Sequence, residues 1–335
     1  MSFITRRDFL RTGLAAGAAV AVPAASGRAA GANEAIRLGL IGCGGRGNVL
    51  LSHFAKIEGV RIGGLCDPDQ RRLHSAGELF GHAKRWADLR EMLDDDSIDA
   101  VVIASAVHWH ALATIWAVQA GKDVYCEKPM SHNLWETRQA SAAVEQSGRI
   151  WQHGTQQQSD PMRAEIRRFL HDERALGKVL SVRVNRYDVR PPIGKRDAPL
   201  TIPGHIDYNL WLGPAQDMPV YRNQLQYDWH CHLANIAIRA GGRFSRAEAA
   251  RVDDPSGHWN GAMEEMAGLL QAHGLDMEND SLRLSRLLTV DSATQRFVGE
   301  GTDAANAFTT RSYREPFAFP TAASAKQGQI RNSKS

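Results

Sequence analysis

The stretch IRLGLIGCGGRGN, residues 36–48, decides the fold of the first half of the chain. Six residues typical of a β-strand run directly into a Gly-x-Gly-x-x-Gly motif formed by Gly42, Gly44 and Gly47. Between a strand and a helix, the first glycine makes a tight turn and the second lets a pyrophosphate approach the backbone, while the third allows close helix–strand packing. Because an apolar pattern at helical spacing follows, the stretch predicts a dinucleotide-binding loop.

A second strand-like run, residues 60–67, ends in an acid 20 residues after the last motif glycine. A carboxylate at this spacing, here Asp67, can accept hydrogen bonds from the adenosine ribose hydroxyls. The sequence Asp-Pro-Asp also resembles a helix start, so a capping role for Asp67 stays open beside the ribose role. Arg71 and Arg72 could accommodate a 2′-phosphate. NAD is therefore favoured as the cofactor, and NADP is left open.

Further strand-like and helical stretches alternate as far as residue 155. Residues 100–105 (AVVIAS) form an apolar run, as expected of a strand buried on both faces of a parallel sheet. Residues 123–129 (DVYCEKP) give another strand, and we expect helices over 88–93 and 134–146. The alternation predicts an α/β fold with a doubly wound parallel sheet, in which ligands bind at the carboxyl ends of the strands.

The composition excludes several classes of protein. The chain has 335 residues, of which 43% are hydrophobic and 23% charged, and this suits a globular protein of two domains. A net charge of +3, from 40 basic and 37 acidic residues, does not indicate a nucleic-acid-binding surface. The four cysteines lack metal-ligand spacing, so we expect small buried thiols, no disulfide framework and no metal site.

The N-terminus has the organisation of a signal peptide. Arg6 and Arg7 precede a weakly apolar run over residues 13–22, and Ala-Gly-Ala at 30–32 offers a cleavage site. The paired arginines resemble a twin-arginine export signal, which implies the twin-arginine export machinery as a partner and a periplasmic or exported location. Because the apolar run is too short to span a bilayer, we expect no stable membrane anchor. The alternative is an amphipathic N-terminal helix of the mature protein.

The sequence CEKPM, residues 126–130, adds a specific resemblance. Together with the glycine loop, the acid after the second strand and HWHA at 108–111, it is similar to the Gfo/Idh/MocA family of glucose–fructose oxidoreductase and inositol dehydrogenase type. The resemblance extends from residue 36 to about residue 230. It departs at Ala106 and Val107, where relatives usually carry proline and aspartate. The resemblance implies an NAD(P)-dependent oxidoreductase that transfers a hydride between nicotinamide and a hydroxyl-bearing carbon of a sugar, cyclitol or derivative.

The resemblance also assigns residues to roles. It places Lys128 beside nicotinamide and substrate, where it assists proton transfer, although a solvated lysine is the alternative. Glu127 then contacts the cofactor ribose or orients Lys128. His108 and His110, at i and i+2, do not share a helix face, so we expect no helical metal clamp. We expect His108 to line the cofactor cleft and His110 to pack. The expected cofactor-binding residues are Gly42, Gly44, Gly45, Arg46, Gly47, Asp67, Ser105, His108 and Glu127.

The second half departs from the family pattern. Relatives have a mainly antiparallel sheet that covers the cleft, but here His230 runs directly into a stretch that resembles a helix near their C-terminus. We therefore expect an internal block to be absent at this junction. Residues 245–290 resemble helices, notably over 262–272 and 277–288, which predicts a truncated α+β second domain. The absent block would carry the family's acid/base histidine. We take His230 as the substitute over His205 and His153, although packing or surface roles stay open for all three.

The expected domain organisation follows from these patterns. It comprises a signal peptide over 1–32, a nucleotide-binding domain over 33–155, an incomplete substrate domain over 156–320 and a tail over 321–335. Two alternative functions stay open: a redox-neutral, NAD-dependent enzyme that cleaves glycosides, and a nucleotide-binding remnant without catalysis. A homo-oligomer also stays open: relatives often assemble through the exposed face of the second-domain sheet, but we expect much of that sheet to be absent here.

Overall fold

A computed structural model of the chain describes residues 35–179, 196–225, 242–243, 258–272, 274, 283–284, 288–291, 293–294, 296–299 and 302–320. Four expectations lie outside these residues. They are the signal peptide over 1–32, the junction at residues 230–231, the proposed acid/base residue His230 and the tail over 321–335.

Six parallel strands form the central sheet, in the order β3-β2-β1-β4-β5-β6. The strands are β1 (Ile36–Ile41), β2 (Val60–Cys66), β3 (Lys84–Trp86), β4 (Ala100–Ile103), β5 (Asp123–Glu127) and β6 (Trp151–Gly154). The helices between them are α1 (Gly45–Phe54), α2 (Gln70–Leu79), α3 (Leu89–Leu93), α4 (Val107–Gln119) and α5 (Leu134–Ser147). The strand order reverses at β1 and β4, which confirms the predicted doubly wound fold.

Both faces of the sheet are covered by helices. One cluster of buried apolar side chains packs α3, α4 and α5 against the sheet, and a second packs α1 and α2 against it. Helix α4 is buried on all sides, from His108 through Val118. Full burial of a large side chain such as Leu112 contributes about 2 kcal/mol to stability. The continuous apolar character of β4 is what the sequence already indicated.

Strand β3 has no counterpart among the strands expected from the sequence. Its first two residues, Lys84 and Arg85, are exposed at the edge of the sheet, and only Trp86 is partly buried. A three-residue edge strand rich in basic side chains carries no apolar alternation, so no periodic signal marks it. Its pairing with β2 is what makes it a strand.

Residues near the C-terminus pack onto this domain. The Arg311 Nε lies 2.8 Å from the Glu136 Oε1, and the Glu136 side chain is fully buried on α5. Phe317 is also fully buried and contacts the Trp109 ring edge-to-face, with the centroids 5.4 Å apart. The core of the nucleotide-binding fold therefore includes side chains that lie more than 150 residues later in the sequence.

The remaining described elements mix helices with short antiparallel pairs. The helices are α6 (Pro161–Arg167), continued by a π-helical turn (Arg168–Asp172), α7 (Tyr208–Leu212), α8 (His258–Ala272) and α9 (Asp303–Ala307). The strands are β7 (Gly242–Arg243), β8 (Arg283–Leu284), β9 (Thr289–Asp291) and β10 (Arg296–Val298). The pairs are β7 with β8 and β9 with β10. None of the described helices is long and apolar enough to cross a membrane.

Two expectations for this half have different outcomes. The helix expected over 262–272 is confirmed and begins earlier, at His258. The helix expected over 277–288 is wrong at Arg283 and Leu284, which form β8 and pair with β7. The sequence SLRLSRLL fits a period of two as well as a helical period, so pairing with a distant segment decides the local structure.

Candidate cofactor and substrate site

A cavity of about 390 Å³ opens at the carboxyl ends of the strands. It brings together most of the site residues predicted from the sequence, with residues from the loop after β2 and from α7. The predicted residues in its lining are Gly42, Gly44, Gly45, Arg46, Asp67, Ser105, Glu127 and Lys128. The glycine loop, the acid after β2 and the Glu-Lys-Pro segment after β5 therefore face one space, as the topology of a doubly wound sheet requires.

Close contacts explain why glycines occupy the loop. Gly42 has a φ of +99°, and a Cβ on it would lie 2.6 Å from the Ser105 amide nitrogen. A Cβ on Gly47 would lie 2.0 Å from the Gly42 carbonyl oxygen, so α1 and β1 could not pack this closely with any other residue. Gly44 is the N-cap of α1 and supplies no capping side chain. A helix start of this kind, with no acidic residue in its first turn, fits a diphosphate.

The Asp67 side chain is only 5% exposed and is held by two backbone amides. Its Oδ2 accepts from the Cys43 N–H at 2.8 Å, and its Oδ1 accepts from the Asp69 N–H at 2.8 Å. Burial raises the pKa of Asp67, and the two backbone bonds oppose that rise. Each carboxylate oxygen keeps a further lone pair that can accept another hydrogen bond.

The capping alternative for Asp67 is excluded by the start of α2. Asp69 is the N-cap, and its side chain accepts from the Arg71 and Arg72 backbone amides. The Arg72 side chain lines the cavity, and its Nη1 lies 3.1 Å from where a Cβ on Gly44 would be. Arg71 is exposed and lies outside the cavity lining. Of the two arginines, Arg72 is therefore the one placed near the glycine loop.

The Glu127 carboxylate joins the end of β5 to the start of α1 and to the segment that follows β6. Its Oε1 accepts from the Arg46 Nε at 2.7 Å and from the Gln156 Nε2 at 2.7 Å. Its Oε2 accepts from the Lys128 backbone N–H at 3.2 Å. Glu127 is only 4% exposed, so these donors compensate a buried charge. The arrangement fixes the backbone that carries Lys128, whose side chain is exposed in the cavity.

The two histidines on α4 differ from the expectation. His108 is fully buried outside the cavity lining, and its Nε2 lies 2.9 Å from the Trp211 carbonyl oxygen. Burial lowers the pKa of His108 to about 3, although this carbonyl opposes the shift. His110 lines the cavity instead. The spacing places the two side chains on different faces of α4, but it does not say which face meets the cavity.

Residues of the second half also line the cavity, and these were missed from the sequence. The carbonyl oxygens of Leu210 and Trp211 lie 3.0 and 3.1 Å from the Trp109 Nε1, so α4 holds the end of α7. Trp211 lines the cavity and stacks on Tyr208, with their rings 5.9 Å apart and 11° from parallel. The aromatic-rich sequence YNLWLGP was the available signal, but its spacing does not show which strand end it meets.

The other candidate acid/base residues do not reach the cavity. The His205 Nε2 lies 3.7 Å from the Asp69 Oδ1 beside the start of α2. His153 stacks on Trp151 on β6, with ring centroids 5.5 Å apart. Neither histidine is in the cavity lining. Within the described part of the chain, no three metal-ligating side chains come together.

The sheet order and the glycine-loop cavity define residues 36–155 as a nucleotide-binding domain of Rossmann type. These residues match the sequence model of the GFO_IDH_MocA oxidoreductase family, described as an NAD-binding Rossmann fold. Residues 36–155 are thus similar to the Gfo/Idh/MocA family. Residues 4–23 match the signal sequence of the twin-arginine translocation pathway, which directs export across the cytoplasmic membrane to the periplasm.

Individual relatives match over parts of the chain. Glycosyl hydrolase family 109 protein 2 of Shewanella sp. (strain ANA-3) is 27% identical over 302 residues, 80% of this chain and 65% of its own length. Inositol 2-dehydrogenase 2 of Saccharopolyspora erythraea is 31% identical over 182 residues, 53% of each protein. The crystal structure of myo-inositol 2-dehydrogenase from Lactobacillus plantarum aligns over 44% of this chain and 43% of its own, at 27% identity and a TM-score of 0.42. The chain thus spans at most 65% of the length of these relatives.

Proposed function

We propose that the chain is an exported NAD-dependent oxidoreductase. It transfers a hydride between nicotinamide C4 and a hydroxyl-bearing carbon of a sugar, a cyclitol or a derivative. The observation that carries this proposal is that the glycine loop, Asp67 and Lys128 line one cavity at the strand ends. The family of the first domain and the dehydrogenase names of several relatives support the same reaction class.

The residues divide into binding and reacting groups. The N-terminus of α1 binds the diphosphate, and the Asp67 carboxylate accepts from the adenosine ribose hydroxyls. NAD supplies the hydride acceptor when it is bound. The Lys128 Nζ accepts the proton of the substrate hydroxyl during oxidation and returns it during reduction. Glu127, held by Arg46 and Gln156, keeps the backbone of Lys128 in place.

The test compares the wild-type chain with Lys128→Ala over a panel of sugars and cyclitols, following NADH absorbance. Because a positioned acid/base group contributes about 10²- to 10⁴-fold, kcat should fall by at least about 100-fold. The NADH dissociation constant, measured by fluorescence, should stay within about twofold. Lys56→Ala is the matched control, since Lys56 is exposed just beyond the C-terminal end of α1, away from the glycine loop. Unchanged turnover in Lys128→Ala would remove Lys128 from the reaction.

The proposed substrate domain is residues 156–320, and His230 within it is our proposed acid/base partner for Lys128. The role of His230 is tested by His230→Asn, which should lower kcat with little change in NADH affinity. A variant with wild-type kcat would exclude the role.

A second candidate function rests on the match that covers 80% of the chain, to a protein named as a family 109 glycosyl hydrolase. In this alternative the enzyme oxidises a glycoside, eliminates the aglycone and reduces the product with the same NAD. The cofactor would then stay bound through purification, and glycoside would be cleaved with no net NADH. A chain that binds NADH but turns over neither class of substrate would instead be a nucleotide-binding remnant.

A further inference from the structure

His110 lies between two backbone carbonyl groups at the cavity. Its Nδ1 is 2.7 Å from the Pro129 oxygen, and its Nε2 is 3.1 Å from the Ser105 oxygen. The side chain is only 2% exposed. Ser105 lies in the loop between β4 and α4, whereas Pro129 directly follows Lys128. One imidazole therefore bridges two adjacent strand ends.

The two contacts of His110 are not equivalent. Carbonyl oxygens only accept, and a neutral imidazole carries a single N–H. Burial lowers the pKa of His110, which favours the neutral ring, although the Pro129 and Ser105 carbonyls and the nearby Glu127 oppose that shift. The shorter contact places the N–H at Nδ1, where it is donated to Pro129.

Few other groups can anchor the turn formed by Lys128 and Pro129, called here the Lys-Pro turn. Pro129 has no backbone N–H, so its carbonyl is the one main-chain group through which it can bond. On the preceding side, the Lys128 N–H is bonded to the Glu127 carboxylate, which Arg46 holds in turn. The residues on both sides of Lys128 are thus fixed by side chains from other elements. The lysine side chain itself projects from this fixed turn.

We propose that His110 is a positioning residue that fixes the Lys-Pro turn through the Pro129 carbonyl and so sets where the Lys128 Nζ lies. This inference rests on the proposed function, in which Lys128 moves the proton. His110 does not contact the reacting atoms in this role. Its effect should therefore fall on kcat and on the environment of the Lys128 amine, while binding of NADH is retained.

Two isosteric substitutions separate the two contacts. The amide nitrogen of Asn lies close to the place of a histidine Nδ1, and that of Gln lies close to the place of Nε2. His110→Asn should keep the bond to Pro129 and retain kcat within about threefold. His110→Gln should lose that bond and lower kcat by at least about tenfold, with KM and the NADH dissociation constant nearly unchanged. His74→Asn and His74→Gln, at an exposed position on α2, are the matched controls.

A readout that does not depend on turnover is the NMR signal of Lys128 after reductive ¹³C-methylation, assigned by its loss in Lys128→Arg. The signal should move in His110→Gln and coincide with wild type in His110→Asn. Equal effects of both variants on kcat, or an unmoved signal in a folded Gln variant, would overturn the proposal. If His110→Gln does not fold, His110→Asn alone tests the proposal. A displaced Lys128 signal in His110→Asn would then overturn the proposal. A shifted signal alongside unchanged turnover in Lys128→Ala would refute the proposed function and leave the positioning role standing.

Discussion

The guanidinium of Arg46 lies against the carboxylate of Glu127, with Nη2 2.6 Å from Oε1, although 81 residues separate them in the sequence. Arg46 belongs to the first turn of α1, and Glu127 ends β5. The pair therefore ties the glycine loop to the strand end that carries Lys128. Its two members differ in exposure, since the Arg46 side chain is 39% exposed and that of Glu127 only 5%.

Arg46→Met should destabilise the fold, because it leaves a buried carboxylate without its charged partner. Since Arg46 is partly exposed and Gln156 still donates, we expect a loss of about 2 kcal/mol in the free energy of unfolding, measured by urea denaturation. Glu127→Gln should recover about half of that loss in the same background. Arg71→Met, at an exposed position, is the control and should change stability by less than about 0.5 kcal/mol. Strictly additive effects of the two substitutions would show that the pair is not coupled.

The glycines at positions 45 and 47 give opposite predictions for the same substitution. A Cβ on Gly47 would overlap the Gly42 carbonyl oxygen at 2.0 Å, whereas a Cβ on Gly45 meets nothing within 4 Å. Gly47→Ala must push α1 from the sheet, at a cost of about 3 kcal/mol. Gly45→Ala should stay within about 1 kcal/mol of wild type. Thermal unfolding of the two variants checks this, and similar melting temperatures would contradict the packing described for this loop.

Asp67→Asn should change the choice of cofactor. Asn places an amide group where the carboxylate accepts from the Cys43 or Asp69 N–H, and it also removes the charge that disfavours a 2′-phosphate. We expect NADH affinity to fall about tenfold, with a smaller fall for NADPH. Fluorescence titration with both cofactors gives the ratio of dissociation constants. If the ratio of the NADH and NADPH dissociation constants equals that of wild type, Asp67 does not bind the ribose.

The parts of the fold set by local sequence could be predicted, and they include most of the cofactor site. The glycine motif specifies its own backbone geometry, as the φ of Gly42 illustrates. Buried strands such as β4 have a continuous apolar run that marks them. Parallel strands end at one edge of the sheet, so the side chains that follow them meet there. The predicted strands alone were therefore enough to predict this meeting.

The parts set by pairing between distant segments could not be predicted. Strand β3 is defined by its partner β2, and Arg283 is in a strand because β7 pairs with it. Whether His108 or His110 lines the cavity depends on how α4 is rotated about its axis. Trp109 docks on α7 and helps to fix that rotation. The contribution of Trp211 to the cavity depends on the same docking.

Titration of NADH into the full-length chain, followed by fluorescence, tests dinucleotide binding by this loop most directly. Gly44→Ala is the decisive variant, because its Cβ would meet only the movable end of Arg72, at 3.1 Å, and would stand where the diphosphate approaches. The wild-type chain should bind NADH saturably, and folded Gly44→Ala should bind it at least about tenfold more weakly. No saturable binding to a folded wild-type chain, or equal binding by the variant, would contradict dinucleotide binding at this loop.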